Sequence, residues 1–405
     1  MYINDLPAEF KAALPILETL ENAGYEAYFV GGSVRDTLLE KPIHDVDIAT
    51  SAYPEEVKTL FNSTVDTGIE HGTVMILDHG QGYETTTFRT ESTYTDFRRP
   101  DEVTFVRSLA EDLKRRDFTV NALALKPSGE VVDLFDGVRD LQNKILRAVG
   151  QAEERFHEDA LRMMRAVRFA AQLDFKIEEH TRAAIKDNAA LLEHIAIERI
   201  NVEFTKLLQG ANARYGLLEM MATKLNNYMP GLENVDIDLL GFAELLGQAQ
   251  PEDDTQAWTL LAFELGLTPS DTVIFMKKWK QSAALIGTAK KSIALLNELR
   301  KGPVSAWQLY TTGQALENAL AVADLSELEV DTQALATQFT ALPIHDKRDL
   351  ALTGADLTQE LGLQPGPIFG KILHQVEQQV VAGERTNQAS ELLAVARTLA
   401  EKEKK

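Results

Sequence analysis

Tyr25-Glu26-Ala27-Tyr28-Phe29-Val30-Gly31-Gly32-Ser33-Val34-Arg35-Asp36, followed nine residues later by Asp45-Val46-Asp47, is the stretch on which the fold turns. Tyr25 to Val30 is short, apolar and aromatic, as a strand is. It runs into two glycines and then into a helix-compatible Val34-Arg35-Asp36-Thr37-Leu38-Leu39. Backbone N–H groups in such a turn and at the helix start can face a phosphate, with Arg35 beside them as a positive partner. Asp45 and Asp47 stand two apart on a predicted strand, where alternation sends both carboxylates to one face. Two hard oxygen ligands on one face suit Mg²⁺, which can activate an attacking hydroxyl and neutralise a departing pyrophosphate. Taken singly, a Gly-Gly pair is commonly a turn and Asp-x-Asp a solvated strand edge. Joined in order within one βαβ-sized unit, they point to a phosphate and metal site. Glu84, on the predicted strand Tyr83 to Phe88, is the candidate third carboxylate, with an exposed polar strand position as the alternative.

Outward from this stretch, Val46 to Ala49, Val74 to Leu77, Tyr83 to Phe88 and Val131 to Phe135 also read as strands, with helices between them. The first 135 or so residues are therefore an α/β or α+β region. From Val138 onward apolar residues recur at three- and four-residue spacing, in runs such as Glu158 to Leu173, Thr181 to Leu192 and Ala196 to Leu208, which predicts helices. Breaks are expected near Gly210, Gly231, Gln250 to Asp254 and Gly302-Pro303.

With 405 residues the chain exceeds what one core supports, about 250–300 residues, so at least two domains are expected. Zero cysteine excludes a disulfide scaffold, thiolate zinc sites and a cysteine nucleophile, and fits a reducing compartment. The first twenty residues carry acids where a signal peptide is basic, and no apolar run approaches the roughly 18 residues of a bilayer span. A cytoplasmic protein without a membrane partner is expected.

The net charge of −21 argues at first against a nucleic-acid partner. Resolved along the chain, however, it is uneven. Gly231 to Met276 holds nine acids and no Lys or Arg, and Thr311 to Asp346 six acids and none. Between Lys277 and Lys301 seven bases face Glu298 alone, a stretch that could receive a polyanion or simply be a solvated helix face.

Two further stretches carry arginines. Arg115-Arg116-Asp117-Phe118 leads into a predicted short helix with Phe118, Ala122 and Leu125 on its apolar side, and Arg116 could contact phosphate or sugar. Asp159, Arg162, Arg165 and Arg168 follow at steps of three, a stripe on one face of a predicted helix opposite Leu161, Met164 and Val167. An exposed helix with i, i+3 ion pairs is the plain reading. Three successive arginines repel unless anions sit among them, and carboxylate and guanidinium edges match the hydrogen-bonding edges of bases. An Asp accepting from an exocyclic amine beside a donating Arg could separate cytosine and adenine from guanine and uracil.

The ordered set GGSVRD, HDVDIAT, RRDFTVNALAL, DLFDGVRDL and ERFHEDALRMMRAVRFAA, from Gly31 to Ala171, resembles the class II tRNA nucleotidyltransferases, the bacterial CCA-adding enzymes of the polymerase β-like superfamily. Leu352-Thr353-Gly354-Ala355-Asp356-Leu357 with Pro365 to Leu373 is similar to the tail module of compact Gram-positive forms. The resemblance implies an α+β chain in a seahorse-like arrangement. A small nucleotidyltransferase β-sheet head (1–137) would be followed by an all-α neck with the nucleotide template (138–210), a body (211–302) and a tRNA-binding tail (303–405). It implies CTP and ATP as substrates, Mg²⁺ as cofactor and tRNA as partner, gripped at its 3′ end and acceptor and elbow region. By position, Asp45 and Asp47 match the metal-binding catalytic carboxylates, and Glu84 lies in the region of the third. Gly32 and Arg35 match nucleotide-contacting positions, Arg116 the motif arginine near the incoming nucleotide, Asp159 and Arg162 the amino-acid template pair, and Arg165 and Arg168 further nucleotide-binding arginines. The loop Thr90 to Asp112, with Arg98-Arg99-Pro100, corresponds to the element expected to help switch from C to A addition. His44-Asp45 is not a phosphohydrolase signature, since Asp45 belongs to the strand motif.

Three other readings stay open. A bacterial poly(A) polymerase shares the head and neck motifs but typically carries a basic extension where this chain ends in Glu401-Lys402-Glu403-Lys404-Lys405. A specialised CC- or A-adding enzyme is a variant of the same chemistry. A catalytically silent RNA- or nucleotide-binding protein has no need of two like charges side by side at Asp45 and Asp47. The residues do not decide between a monomer and a homodimer.

Overall fold

In the computed structural model, which describes residues 1–91 and 103–403, the strands are β1 (Ala27–Val30), β2 (Asp47–Thr50), β3 (Thr64–Gly68), β4 (Thr73–Asp78), β5 (Gln81–Thr87), β6 (Arg89–Glu91), β7 (Val103–Phe105), β8 (Leu123–Leu125), β9 (Val131–Asp133), β10 (Ile145–Leu146) and β11 (Lys176–Ile177), the last two a short parallel pair within the stretch expected to be all-α. Seven of them form one mixed sheet in the order β3-β4-β5-β2-β1-β8-β9, while β6 and β7 pair as a separate ribbon. Val30 pairs with Asp47 across the antiparallel β1 and β2. Ile48 pairs with Thr85 across the parallel β2 and β5, a register that brings Glu84 alongside Asp47. The sheet thus sets the glycine turn and two of the three predicted carboxylates on neighbouring strands.

Helix α1 (Ala8–Asn22) buries Phe10, Ala13, Ile16, Leu17 and Leu20, an i, i+3, i+4 set that packs on the sheet with Phe10 and Phe29 ring centroids 4.5 Å apart. Next come α2 (Gly32–Leu38), α3 (Pro54–Leu60), α4 (Leu109–Lys114), α5 (Gly137–Asn143) and α6 (Ala152–Glu158). Leu109 and Leu113 of α4 are buried with Val30, Ala49, Ala122 and Ala124, which seats this helix against the strands of the glycine turn and of Asp47. Then follow α7 (Leu161–Leu173), α8 (Glu179–Asn188), α9 (Ile197–Leu208) and α10 (Ala213–Ala222). Eleven of the thirteen residues of α7 are buried, Arg162 and Arg168 included, so it is the central helix of its layer and not an exposed amphipathic one. It packs on α10 at close range. A Cβ built on Gly216 would come within 2.8 Å of Ala171 Cβ and 3.0 Å of the Val167 carbonyl oxygen, and one on Gly210 within 2.8 Å of the same Ala171 Cβ.

Three local expectations give way. The short helix predicted over Phe118 to Leu125 is a 3-10 turn at Thr119–Asn121 followed by strand β8. Leu123, Ala124 and Leu125 are fully buried between β1 and β9, and a strand covered on both faces loses the alternation that would reveal it. The run Glu158 to Leu173 is two helices, because Asp159 is extended (φ −141°, ψ 103°) and its Oδ1 accepts from the Leu161 N–H, an alternative to the helical ladder. Asp45 precedes β2 instead of lying on it, and β3, with an Asp and two threonines, carried no apolar strand signal.

The chain divides into two compact units, Met1–Asp236 and Ile237–Lys405, a division that falls within the expected body of 211–302 and at neither of its ends. All the elements so far lie in the first. Among the described residues, the second contains only helical elements: α11 (Asp236–Gln248), which begins at the boundary, α12 (Asp254–Glu264), α13 (Pro269–Lys278), α14 (Ala283–Leu299), α15 (Ala306–Thr312), α16 (Leu316–Leu325), α17 (Thr332–Thr340), α18 (Gly354–Leu361), α19 (Pro367–Val381) and α20 (Ala389–Glu403). Side chains of Asp253, Thr268, Ser282, Ser305, Asp331 and Thr353 accept from backbone N–H groups of the first turns, which fixes where six of these helices start. Trp258 and Trp279, both fully buried, meet edge to face at 4.9 Å. Tyr310 on α15 donates to the buried Glu377 on α19 at 2.5 Å. Lys277, Lys278 and Lys280 stand exposed at the α13–α14 turn, and Lys290, Lys291, Arg300 and Lys301 are exposed on and after α14. Among the described residues, no helix is long and apolar enough to cross a membrane.

Candidate active site

A cavity of about 610 Å³ in the first unit is lined by eight basic and three acidic side chains, among them Arg35, Asp47, Arg116, Asp159, Arg162, Arg165 and Arg168, together with Gly31 and Gly32. Eight of the ten site residues expected from the sequence meet there. Glu84 and Asp45 are not in its lining; both are exposed.

Gly31 ends β1 at φ +73°, a conformation open to glycine and strained for other residues. A Cβ there would sit 3.4 Å from Asp47 Oδ2 and 3.5 Å from Arg116 Nη1, so the turn, the carboxylate and the guanidinium converge on one point. Burial, followed by repulsion from Glu84, pushes the Asp47 carboxyl up to about 6, with Arg116 opposing and Asp45 adding to the rise. A carboxylate held at such cost, with others at hand, is a donor set that a hard divalent cation fits. Among the described residues no three such side chains gather closely enough to make a cage by themselves. A hard divalent cation held here would draw the rest of its shell from water and phosphate oxygens.

The arginines differ in how they are held. Arg35 is clamped by both oxygens of Asp36, at 2.8 and 2.9 Å, and by the Asn121 side-chain carbonyl at 2.7 Å. Arg162 donates to Glu158 at 2.6 Å and to the carbonyls of Arg155 and Arg115 at 3.2 and 2.7 Å. Arg165 makes a forked contact with Asp117 Oδ2 through Nε and Nη2, at 2.8 and 2.5 Å. Burial works against charge on Asp117, yet Arg165 and the Asn121 amide hold it down at about 2. Arg168 Nε lies 2.6 Å from Glu203 Oε2 without the alignment of a hydrogen bond, while Nη1 donates to Gln172 at 2.7 Å. Burial lowers Arg168 to about 10, Glu203 opposing and Arg165 and Arg35 contributing by repulsion. The Phe169 ring takes all three of Arg35, Arg165 and Arg168 against it, at 5.2, 5.3 and 3.6 Å from its centroid.

The Asp159 carboxylate does not pair with the Arg162 guanidinium. Both of its oxygens face Arg199 of α9, at 3.3 and 2.7 Å. Sequence reasoning missed Asp117, Phe169, Arg199 and Glu203 as members of this site. Asp117 stands next to Arg116 in the sequence; the others show themselves only once α7 and α9 are packed together. Arg98-Arg99-Pro100, the centre of the expected switching loop, lies outside the described residues.

Comparison with known proteins bears on this geometry. The family profile described as "Poly A polymerase head domain" matches residues 27–147, "Probable RNA and SrmB- binding site of polymerase A" matches 174–235, and "tRNA nucleotidyltransferase domain 2 putative" matches 249–396. The chain is 54% identical over 394 residues to the CCA-adding enzyme of Limosilactobacillus reuteri, covering 97% of this chain and 98% of that one. It is 55% identical over 404 residues to the CCA-adding enzyme of Lactiplantibacillus plantarum, covering 99% of each. The chain belongs to the CCA-adding enzymes. Among solved CCA-adding enzymes, that of Bacillus stearothermophilus in complex with CTP matches with a TM-score of 0.86 at 39% identity, over 98% of both chains. The Thermotoga maritima CCA-adding enzyme complexed with tRNA shares the fold, with a TM-score of 0.64 at 21% identity. The expectation of an α+β nucleotidyltransferase with a sheet-bearing head and a mostly helical remainder stands, and membership of this family of CCA-adding enzymes implies use of a divalent metal.

Proposed function

We propose that this chain adds C, C and A in turn to the 3′ end of tRNA, from CTP and ATP with Mg²⁺ and without a nucleic-acid template. The observation that carries the reading is that one basic cavity in an acidic protein receives Asp47, the glycine turn, Asp159 and Arg162 together. In the reaction the terminal 3′ hydroxyl attacks the α-phosphorus, the new O–P bond forms as the bond to pyrophosphate breaks, and the hydroxyl proton passes to solvent water. Asp45 and Asp47 would hold Mg²⁺, which when bound lowers the pKa of the attacking hydroxyl and neutralises the leaving pyrophosphate. Gly31 keeps a side chain away from Asp47 and Arg116, Gly32 keeps one away from the Arg35 and Asp36 pair, and together they leave room for the triphosphate. Arg35, held flat by Asp36 and Asn121, acts as a fixed positive wall, and Arg116, Arg165 and Arg168 supply further charge for the nucleotide.

Asp159 accepts from the exocyclic amine that cytosine and adenine share, and Arg162 donates to the ring nitrogen or carbonyl. Their present partners, Arg199 for Asp159 and Glu158 for Arg162, hold the two side chains in place until a base exchanges for part of these contacts. Glu84 borders Asp47 and acts through its charge. The helical modules are read as neck 138–210, body 211–302 and tail 303–405 behind a head of 1–137. The exposed bases from Lys277 to Lys301 serve the tRNA backbone. The activity is assigned to the cytoplasm, in keeping with a chain free of cysteine.

The test is extension of tRNA transcripts ending at the discriminator base, at C or at CC, with Mg²⁺ and CTP, ATP, or both. Products that stop at CCA are expected. Long adenosine tracts would assign the chain to poly(A) synthesis, and absence of extension to a silent binder.

A further inference from the structure

Asp112, on α4, is 1% exposed and takes no part in the chemistry described above. Its Oδ1 accepts from Arg115 Nε and Nη2 at 3.0 and 2.7 Å and faces the Arg89 backbone N–H at 3.4 Å. Its Oδ2 accepts from Arg116 Nη2 at 3.2 Å. Burial opposes the charge on this carboxylate, and the two arginines overcome it, holding the carboxyl below its ordinary range.

Two groups of site residues hang on the same short helix. On one side, Arg116, gripped by Asp112 and by the Asn121 carbonyl at 3.4 Å, is aimed at the point over Gly31 where Asp47 also arrives. On the other, the carbonyls at the exit of α4 receive the base-reading side: Arg115 O accepts from Arg162 at 2.7 Å and Lys114 O from Arg155 at 3.1 Å. Arg155 and Arg162 share the carboxylate of Glu158, which closes the connection. These carbonyls are the unsatisfied end of a helix, so they accept readily, and the forked Arg115 contact with Asp112 pins the residue that offers one of them.

We infer that Asp112 is a positioning residue that ties the phosphate side of the cavity, through Arg116, to the base-reading side, through the Arg115 backbone and Arg162. The inference rests on the proposed nucleotidyl transfer. A nucleotide is read at its base and attacked at its α-phosphorus, so the separation of the two sides decides whether a correctly read base also presents its phosphate for reaction. A displacement near 1 Å can cost about a hundredfold in rate.

The experiment is single-turnover extension of CC-ended tRNA with ATP, and of C-ended tRNA with CTP or UTP, by the full chain and by Asp112→Asn, Arg116→Ala and Arg115→Lys. For Asp112→Asn a two-sided defect is expected: the extension rate at saturating CTP or ATP falls about tenfold or more, and the preference for CTP over UTP falls as well. Arg116→Ala should slow extension and keep the base preference, since it leaves the Arg115 backbone anchored. Arg115→Lys, which retains the charge and loses the fork, should repeat the two-sided defect more weakly and serves if Asp112→Asn does not fold. Restoration of both rate and preference by Asp112→Glu would further support a role through the carboxylate. A slower Asp112→Asn or Arg115→Lys enzyme with full base preference would overturn the inference. So would a lowered melting temperature with unchanged kinetics per folded molecule. A wild-type chain that extends none of these tRNAs would instead sink the reading on which the inference rests.

Discussion

The arginines of the cavity and the lysines of α13 and α14 are two ways of presenting positive charge in a protein of net charge −21. In the cavity each of Arg35, Arg162, Arg165 and Arg168 is set by one or more protein acceptors, mostly on other elements, and three of them lie against the Phe169 ring. On α13 and α14 the charges are exposed ammonium groups on flexible stems. A planar, pre-held guanidinium can read the edge of a base; a solvated lysine contributes charge and little direction. The first region is suited to choosing a nucleotide, and the second to holding a phosphate chain of any sequence.

The comparison can be broken or sharpened by substitution, beginning where the effect is greatest. Asp47→Asn should lower the rate of nucleotide addition by about a thousandfold or more while tRNA binding, measured by filter retention, stays near wild type. The same change should stabilise the metal-free protein at neutral pH. The folded-state carboxyl stands at about 6 against an ordinary 3.8, so the folded chain binds the extra proton between those values and loses stability as pH rises through them. The gain in thermal stability, about 1–3 kcal/mol at pH 7, should shrink towards pH 4.

Asp117→Asn carries the opposite sign. Its carboxyl, at about 2 when folded, contributes stability that is complete above the ordinary 3.8 and is lost as pH falls towards 2. Breaking this buried pair with Arg165 should cost about 3 kcal/mol at pH 7, and acid unfolding of the variant should lose that part of its slope. Arg162→Lys tests the contrast itself. Charge is kept and the fork is lost, so preference for CTP over UTP should fall about 10- to 100-fold, nearly as far as in Arg162→Ala. Full discrimination by the lysine variant would mean that charge suffices in the cavity too. The smallest effect is expected on the other side. Lys277, Lys278 and Lys280 changed together to Gln should raise the KM for tRNA about threefold and reduce the salt slope of tRNA binding by about 2, with base preference untouched.

What could be read from the sequence follows the range of the interactions. The glycine turn, the strand before it and the Asp45 and Asp47 pair are local, and each left its mark in adjacent residues. Asp159, Arg162, Arg165 and Arg168 were found by spacing, but the spacing ran on unbroken past the extended Asp159 and so hid the end of α6. The partners that hold those residues, Arg199, Asp117 and Glu203, lie tens of residues away and meet them only through packing. Strand β8 was lost for a related reason: three residues buried on every side have no alternation to show. The coarse fold survived these local misreadings because sheet and helical regions differ in overall periodicity.

Gly210 and Gly216 lie behind α7, away from any nucleotide chemistry, with Ala171 and the Val167 carbonyl pressed against the spaces where their side chains would be. They work as a depth stop. The seat of α7 is calibrated by two missing methyl groups, so the reach of Arg162, Arg165 and Arg168 into the cavity is set from the rear of the helix as well as from its front. On the proposed base-reading role of Asp159 and Arg162, the choice of nucleotide is thereby linked to packing at residues that never meet a base.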